Sequence, residues 1–259
     1  MNEREKLIKC LGLIDLTTLK ITDTHSSVKT MVEKINNFKK SFPNYPYPAS
    51  ICIYPNFSKT VKDNLTAKGV HCTVVSGCFP ASQSYIKVKT MESLMAVENG
   101  ADEVDIVLAL NKFLDNQKEE AAKEIREQKK VVDPKILKVI LETGELKDPK
   151  LIKEASTLAM ENGADFIKTS TGKVNVNATP QAAEIMCTAI KDYYVKTGLK
   201  IGFKAAGGVS TPEEALTYYE IVDRILGEEW LCKELFRFGA SRMANNILSK
   251  LENKEIKYY

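Results

Sequence analysis

Two rhythms of apolar residues alternate along this chain. Short runs rich in β-branched residues recur: "LGLIDLT", "ASICIYP", "HCTVVSG", "EVDIVLAL", "ILKVILET", "DFIKTS", "KIGFKAAG" and "FRFGAS". They return at intervals of roughly 22 to 38 residues, the length of one strand, one helix and the turns between them. Between the runs the apolar period lengthens to that of a helix. "SQSYIKVKTMESLMAVENG" ends at Gly100, and "DPKLIKEASTLAMENG" opens on Asp148 and Pro149 and ends at Gly163. "TPQAAEIMCTAIKDYY" and "TPEEALTYYEIVDRIL" each open with threonine and proline, a side-chain cap followed by a first helical position that needs no N–H. Alternating strands and helices predict a parallel sheet. Eight strand–helix units in 259 residues favour an α/β chain closed as a (βα)8 TIM barrel over an open doubly wound sheet. No GxGxxG follows the first strand, which lowers the dinucleotide-binding alternative.

No linker, charge block or low-complexity stretch divides the chain, so residues 1–259 are read as a single barrel domain. "NEREKLIKC" predicts a short N-terminal helix that plugs one end. Residues 252–259 are expected to form a flexible C-terminal tail. Eight residues past Leu251 span at most about 28 Å when extended. That reach would let Tyr259 fold back to the barrel mouth and assist proton transfer there.

Side chains alternate across a strand, and the alternation puts charges where a core is expected. Lys138 shares a face with Ile136 and Ile140, Lys168 with Phe166 and Ser170, and Lys204 with Gly202 and Ala206. Asp15 lies opposite Ile14 and Leu16, and Asp105 opposite Val104, Ile106 and Leu108. In a barrel the face opposite the helices is the lumen, so Asp15, Asp105, Lys138, Lys168 and Lys204 all point inward. Any one of them could be an exposed residue near a strand end, but three lysines mid-run in successive strands argue otherwise. A structural ion-pair network would account for two carboxylates and two ammoniums and leave one lysine over.

Chemistry gives that lysine a use. A free lysine has a pKa near 10.4, so only about one in a few thousand is neutral at pH 7. Two unit charges about 4 Å apart at an effective dielectric near 20 repel by about 4 kcal/mol, enough to lower an amine's pKa by about three. Adjacent strands lie about 4.8 Å apart, so Lys204 can act in this way on Lys168. A neutral buried lysine attacks carbonyls to form a Schiff base, and Asp105 could shuttle protons through a water.

Composition narrows the rest. The chain is 44% hydrophobic and 27% charged, with a net charge of +3 and lysines spread throughout. No surface dedicated to nucleic acid is indicated. Six cysteines form no CxxC pair, and the two histidines, His25 and His71, have no ligand spacing, so no metal is expected. No long apolar segment predicts a membrane span or signal peptide, and a reducing cytoplasmic setting follows. Toward the C-terminal ends of the last strands stand Gly172 and Lys173, Gly207 and Gly208, and Gly239, Ser241 and Arg242. Barrels often bind phosphate there, on backbone N–H groups at helix starts. A phosphorylated carbonyl compound is therefore the expected substrate.

The motifs "IDLTTL", "ASICIYP", "NGADEVDIV", "LKVILETGELKD", "GADFIKTSTGKVNVNATP", "GFKAAGGV" and "RFGAS" resemble, in order and over nearly the whole chain, those of the deoxyribose-phosphate aldolases. The resemblance implies reversible cleavage of 2-deoxy-D-ribose 5-phosphate to acetaldehyde and D-glyceraldehyde 3-phosphate, in deoxyribose catabolism. It implies Lys168 as the Schiff-base lysine, Lys204 and Asp105 as proton handlers, and no cofactor. A homodimer remains open. The chain departs from the family in Ala205, where proline is common, in Ser210, where relatives carry arginine, and in Arg242, where many have a small residue. The last two exchange one positive charge near the expected phosphate. Two rivals stand beside this reading: another Schiff-base barrel aldolase acting on a different phosphosugar, and a non-catalytic phosphosugar-binding barrel.

Overall fold

The computed structural model describes residues 1–259. Its eight strands are β1 (Ile14–Thr17), β2 (Ser50–Ile53), β3 (His71–Val75), β4 (Glu103–Val107), β5 (Ile136–Ile140), β6 (Phe166–Lys168), β7 (Gly202–Ala206) and β8 (Phe236–Ala240). All run parallel in sequence order, and β1 pairs with β8 to close the barrel. The TIM barrel expected from the strand spacing is therefore the fold.

The helices are α1 (Glu3–Leu11), α2 (His25–Ser41), α3 (Ser58–Asn64), α4 (Ile86–Glu98), α5 (Leu110–Leu114), α6 (Lys118–Val132), α7 (Thr143–Leu146), α8 (Pro149–Glu161), α9 (Pro180–Thr197), α10 (Pro212–Leu226) and α11 (Met243–Glu252). The two Thr–Pro starts behave as their chemistry requires. Thr179 accepts from the Ala182 N–H, and Thr211 forms a reciprocal capping box with Glu214. The short helices α5 and α7 are additions to the eight expected units; each is too short to carry an apolar period. The N-terminal helix forms, and it packs against α10 and α11. No helix is long and apolar enough to cross a membrane.

The outward faces of the strands, including Ile14, Leu16, Ile51, Val104, Val139, Ile167, Phe203 and Phe238, build the main core with the helices. The inward faces are different. Besides Phe166 they carry mostly polar and charged side chains.

The tail departs from expectation. Asn245 ties it down: its Oδ1 accepts from the backbone N–H groups of Tyr258 and Tyr259 at 3.1 and 3.0 Å, and its Nδ2 donates to the Tyr259 carbonyl at 3.0 Å. Tyr258 donates to the Lys34 carbonyl, and the Tyr259 ring stacks on Phe38. The tail thus lies docked on α2 and α11, outside the barrel wall, rather than free or turned into the mouth. Aromatic area next to the apolar end of α2 explains the docking, and the sequence could not show that the two segments meet.

Candidate active site

Seven charged side chains fill the lumen: Asp15, Glu103, Asp105, Lys138, Lys168, Lys204 and Arg237, none more than 3% exposed. Five were expected. Glu103 and Arg237 were missed, although the same alternation finds them: Glu103 lies two residues before Asp105 on the same face, and Arg237 stands between the outward Phe236 and Phe238. They enlarge the ion-pair network. Arg237 binds Asp15 at 2.5 Å and Glu103 at 2.8 Å. Lys138 binds Glu103 and, at 2.9 Å, Asp105. Lys204 binds Asp15 and, at 2.8 Å, Asp105. Lys168 reaches a single carboxylate, Asp105, at 2.8 Å.

Three carboxylates face four cations, so one positive charge is in excess, and the geometry identifies where it falls. Lys138, Lys204 and Arg237 each contact two carboxylates closely, whereas Lys168 shares one already used by Lys138 and Lys204. The titration follows. Burial, then the Lys204 charge, pulls the Lys168 ammonium below the usual lysine range against the opposing pull of Asp105. Burial is the leading cause, and the Lys204 charge assists it. Burial also disfavours the charge on Lys204 and Lys138, but carboxylates overturn it: Asp105 and Asp15 raise Lys204, and Asp105 and Glu103 raise Lys138. Burial works against the Asp105 carboxylate as well, and Lys138, Lys168 and Lys204 hold it far below its ordinary value. The lumen therefore contains one lysine biased toward neutrality among cations fixed in the charged form.

Of the seven, Lys168 lines the cavity above the ring, and the other six do not. That cavity, of about 260 Å³, opens at the C-terminal ends of the strands and is lined by Thr17, Thr18 and Thr171 beside the lysine. Its outer rim contains every residue expected to hold an anion: Gly172, Lys173, Gly207, Gly208, Gly239, Ser241 and Arg242. Gly207 and Gly208 have φ of +84° and +80°, and a Cβ on Gly207 would lie 2.6 Å from the Asn177 Oδ1. Only glycine fits there, and the backbone stays open to a ligand. Lys173 donates from Nζ to the Leu19 carbonyl at 2.7 Å. Ser210 also lines the rim, its N–H held by Glu214 at 2.7 Å. The exposed Arg242 is the residue just before α11. Asp105, Lys138, Lys204 and Asp15 lie behind Lys168 and do not line the cavity. No group of three or more His, Cys, Asp or Glu side chains is disposed to hold a metal ion.

A lumenal lysine under a small cavity at the C-terminal face of a parallel barrel is the setting of a carbonyl-handling enzyme. Comparison with known proteins agrees with that class. The family model described as DeoC/LacD family aldolase matches residues 10–222. The chain is 40% identical over 253 residues to a Caenorhabditis elegans protein provisionally named deoxyribose-phosphate aldolase, covering 97% of this chain and 83% of that one. Among solved structures, the apo form of a provisionally named deoxyribose-phosphate aldolase from Toxoplasma gondii ME49 is 25% identical with a TM-score of 0.83, covering 97% of this chain and 98% of that one. QR15, an aldolase, is 27% identical with a TM-score of 0.77, covering 94% and 96%. The chain belongs to the DeoC/LacD aldolase family and is a lyase.

Proposed function

We propose that this aldolase cleaves 2-deoxy-D-ribose 5-phosphate reversibly to acetaldehyde and D-glyceraldehyde 3-phosphate through a Schiff base on Lys168. The observation that carries the reading is that Lys168 alone joins the buried charge network to the cavity, with its pKa lowered.

In this reading the neutral Lys168 amine attacks the C1 aldehyde, and the resulting carbinolamine loses water to give an iminium. The C3 hydroxyl gives its proton to a base, and the C2–C3 bond breaks. Its electron pair passes into the iminium, which becomes an enamine, while C3 becomes the aldehyde of glyceraldehyde 3-phosphate. Protonation of the enamine at C2 and hydrolysis release acetaldehyde and the free lysine. Asp105, 2.8 Å from both Lys168 and Lys204, is suited to move these protons through a water, with Lys204 as its charged partner. Lys138 and Asp15 hold that pair in place. The glycine rim with Lys173, Ser241 and Arg242 is suited to the phosphate.

Borohydride reduction in the presence of acetaldehyde, followed by peptide mass mapping, tests the assignment. A two-carbon adduct on Lys168 is expected, together with acetaldehyde release from deoxyribose 5-phosphate. An adduct on Lys138 or Lys173 would overturn the residue assignment. Turnover of only a different phosphosugar would overturn the substrate.

A further inference from the structure

Glu142 stands just beyond β5 in a conformation that side chains other than glycine seldom adopt, with φ of +53°. The residue is 3% exposed and makes no ion pair. Both carboxylate oxygens turn to one neighbour across the barrel rim. Oε1 accepts from the Thr171 N–H at 3.1 Å, and Oε2 accepts from the Thr171 hydroxyl at 2.6 Å. The Lys173 N–H donates to the same hydroxyl oxygen at 3.1 Å. Thr171 lines the cavity directly beside Lys168 and Gly172.

These bonds decide what Thr171 can offer a ligand. A hydroxyl has one proton and two lone pairs, and an ionised carboxylate only accepts. The Thr171 proton is committed to Glu142, and one lone pair is committed to the Lys173 N–H. A single lone pair is left for the cavity. Without Glu142 the hydroxyl would rotate freely and could serve as donor or acceptor. With it, the hydroxyl is an acceptor only.

We infer that Glu142 is a positioning residue that fixes Thr171 as a hydrogen-bond acceptor, so that the cavity selects an acceptor aldehyde bearing a hydroxyl group on the carbon next to its carbonyl. This deepens the proposed function and rests on it. In deoxyribose 5-phosphate that group is the C4 hydroxyl, which becomes the 2-hydroxyl of glyceraldehyde 3-phosphate. A site built to receive a hydroxyl discriminates strongly against an analogue lacking it, because the buried acceptor is then left unpaired.

The test runs the reaction toward synthesis, with acetaldehyde as donor and a matched pair of acceptors. One is D-glyceraldehyde 3-phosphate, and the other is 3-phosphooxypropanal, which lacks only the 2-hydroxyl. Both carry the phosphate, so the ratio of their kcat/KM values cancels any change at the anion rim. In Glu142→Gln the amide donates to the Thr171 oxygen and turns its proton into the cavity. The ratio is expected to fall at least about tenfold from the wild-type value. Thr171→Val should produce a similar fall, Thr171→Ser should keep the ratio near wild type, and the Gln–Val double variant should lose no more than Thr171→Val alone. A ratio unchanged in Glu142→Gln would overturn the inference, as would losses that multiply in the double variant. If Glu142→Gln does not fold, the Thr171 pair decides alone: equal ratios in the Val and Ser variants overturn the inference. A wild-type enzyme that traps acetaldehyde on Lys168 but shows no preference between the acceptors refutes this inference only. One that traps nothing refutes the proposed function and the inference together.

Discussion

Replacing Lys204 by leucine isolates the electrostatic part of the proposed chemistry. Lys168 and Lys204 each donate to the same oxygen of Asp105 at 2.8 Å, so their nitrogens lie no further apart than twice that distance. At about 5 Å and an effective dielectric near 20, two such charges repel by about 3 kcal/mol. Removing one should raise the pKa of the other. The freed carboxylate acts in the same direction, since Asp105 would then be shared by Lys138 and Lys168 only. The sign follows directly. Lys168 is nucleophilic when neutral, so a higher pKa lowers the reactive fraction at pH 7. The fold should survive, because Asp15 keeps Arg237 at 2.5 Å and Asp105 keeps Lys138 at 2.9 Å. Turnover would confound this effect with any loss of proton transfer by Lys204. The assay is therefore the rate of acetaldehyde trapping by borohydride as a function of pH. The variant's profile should keep its shape and move toward alkaline pH. A profile that stays in place, or moves toward acid, refutes the argument that the Lys204 charge tunes Lys168.

Arg242→Ala should raise the KM for deoxyribose 5-phosphate several-fold and leave unphosphorylated deoxyribose nearly unaffected, because Arg242 stands on the cavity rim proposed to hold the phosphate, where Ser210 offers no charge; equal losses on both sugars would make it structural. Deleting Tyr258 and Tyr259 should destabilise the barrel by about 2 kcal/mol, the scale of burying one large apolar side chain, read as a lower urea midpoint. An unchanged midpoint would return the tail to a solvent-exposed terminus.

The barrel was legible because its two periods are local properties of the sequence. A strand of a parallel barrel shows its outward face as β-branched residues and its lumenal face as whatever stands between them. That is why Asp15, Asp105, Lys138, Lys168 and Lys204 could be placed inward before any contact was known. The same rule covers Glu103, two residues before Asp105 on its face, and Arg237, between the outward Phe236 and Phe238. What no local rule supplies is the pairing. Asp15 meets Lys204 and Arg237 only because β1 closes on β8, and the docking of Tyr259 on Phe38 joins segments more than two hundred residues apart. The Glu142 carboxylate gave no signal either. Its role depends on a left-handed backbone turn and a threonine in the next strand–helix unit.

Pairing also changes what the buried lysine means. By spacing alone, two ammoniums repel and a third lysine is left over. The closed ring sets a stricter condition. With four cations and three carboxylates, some cation must be under-compensated, and its identity depends on access to carboxylates. Arg237 cannot take that part, since a guanidinium keeps its proton at any ordinary pH. Lys138 and Lys204 cannot, since each is held between two carboxylates that raise its pKa. Lys168 is left, at the top of the ring, with one shared carboxylate below it and the cavity above. Its neutrality is thus a property of the whole ring. It follows that a substitution far below the cavity, at Glu103 or Arg237, can alter the nucleophile without touching it, because any change in the ring's charge alters how strongly Lys168 is held in its ionised form.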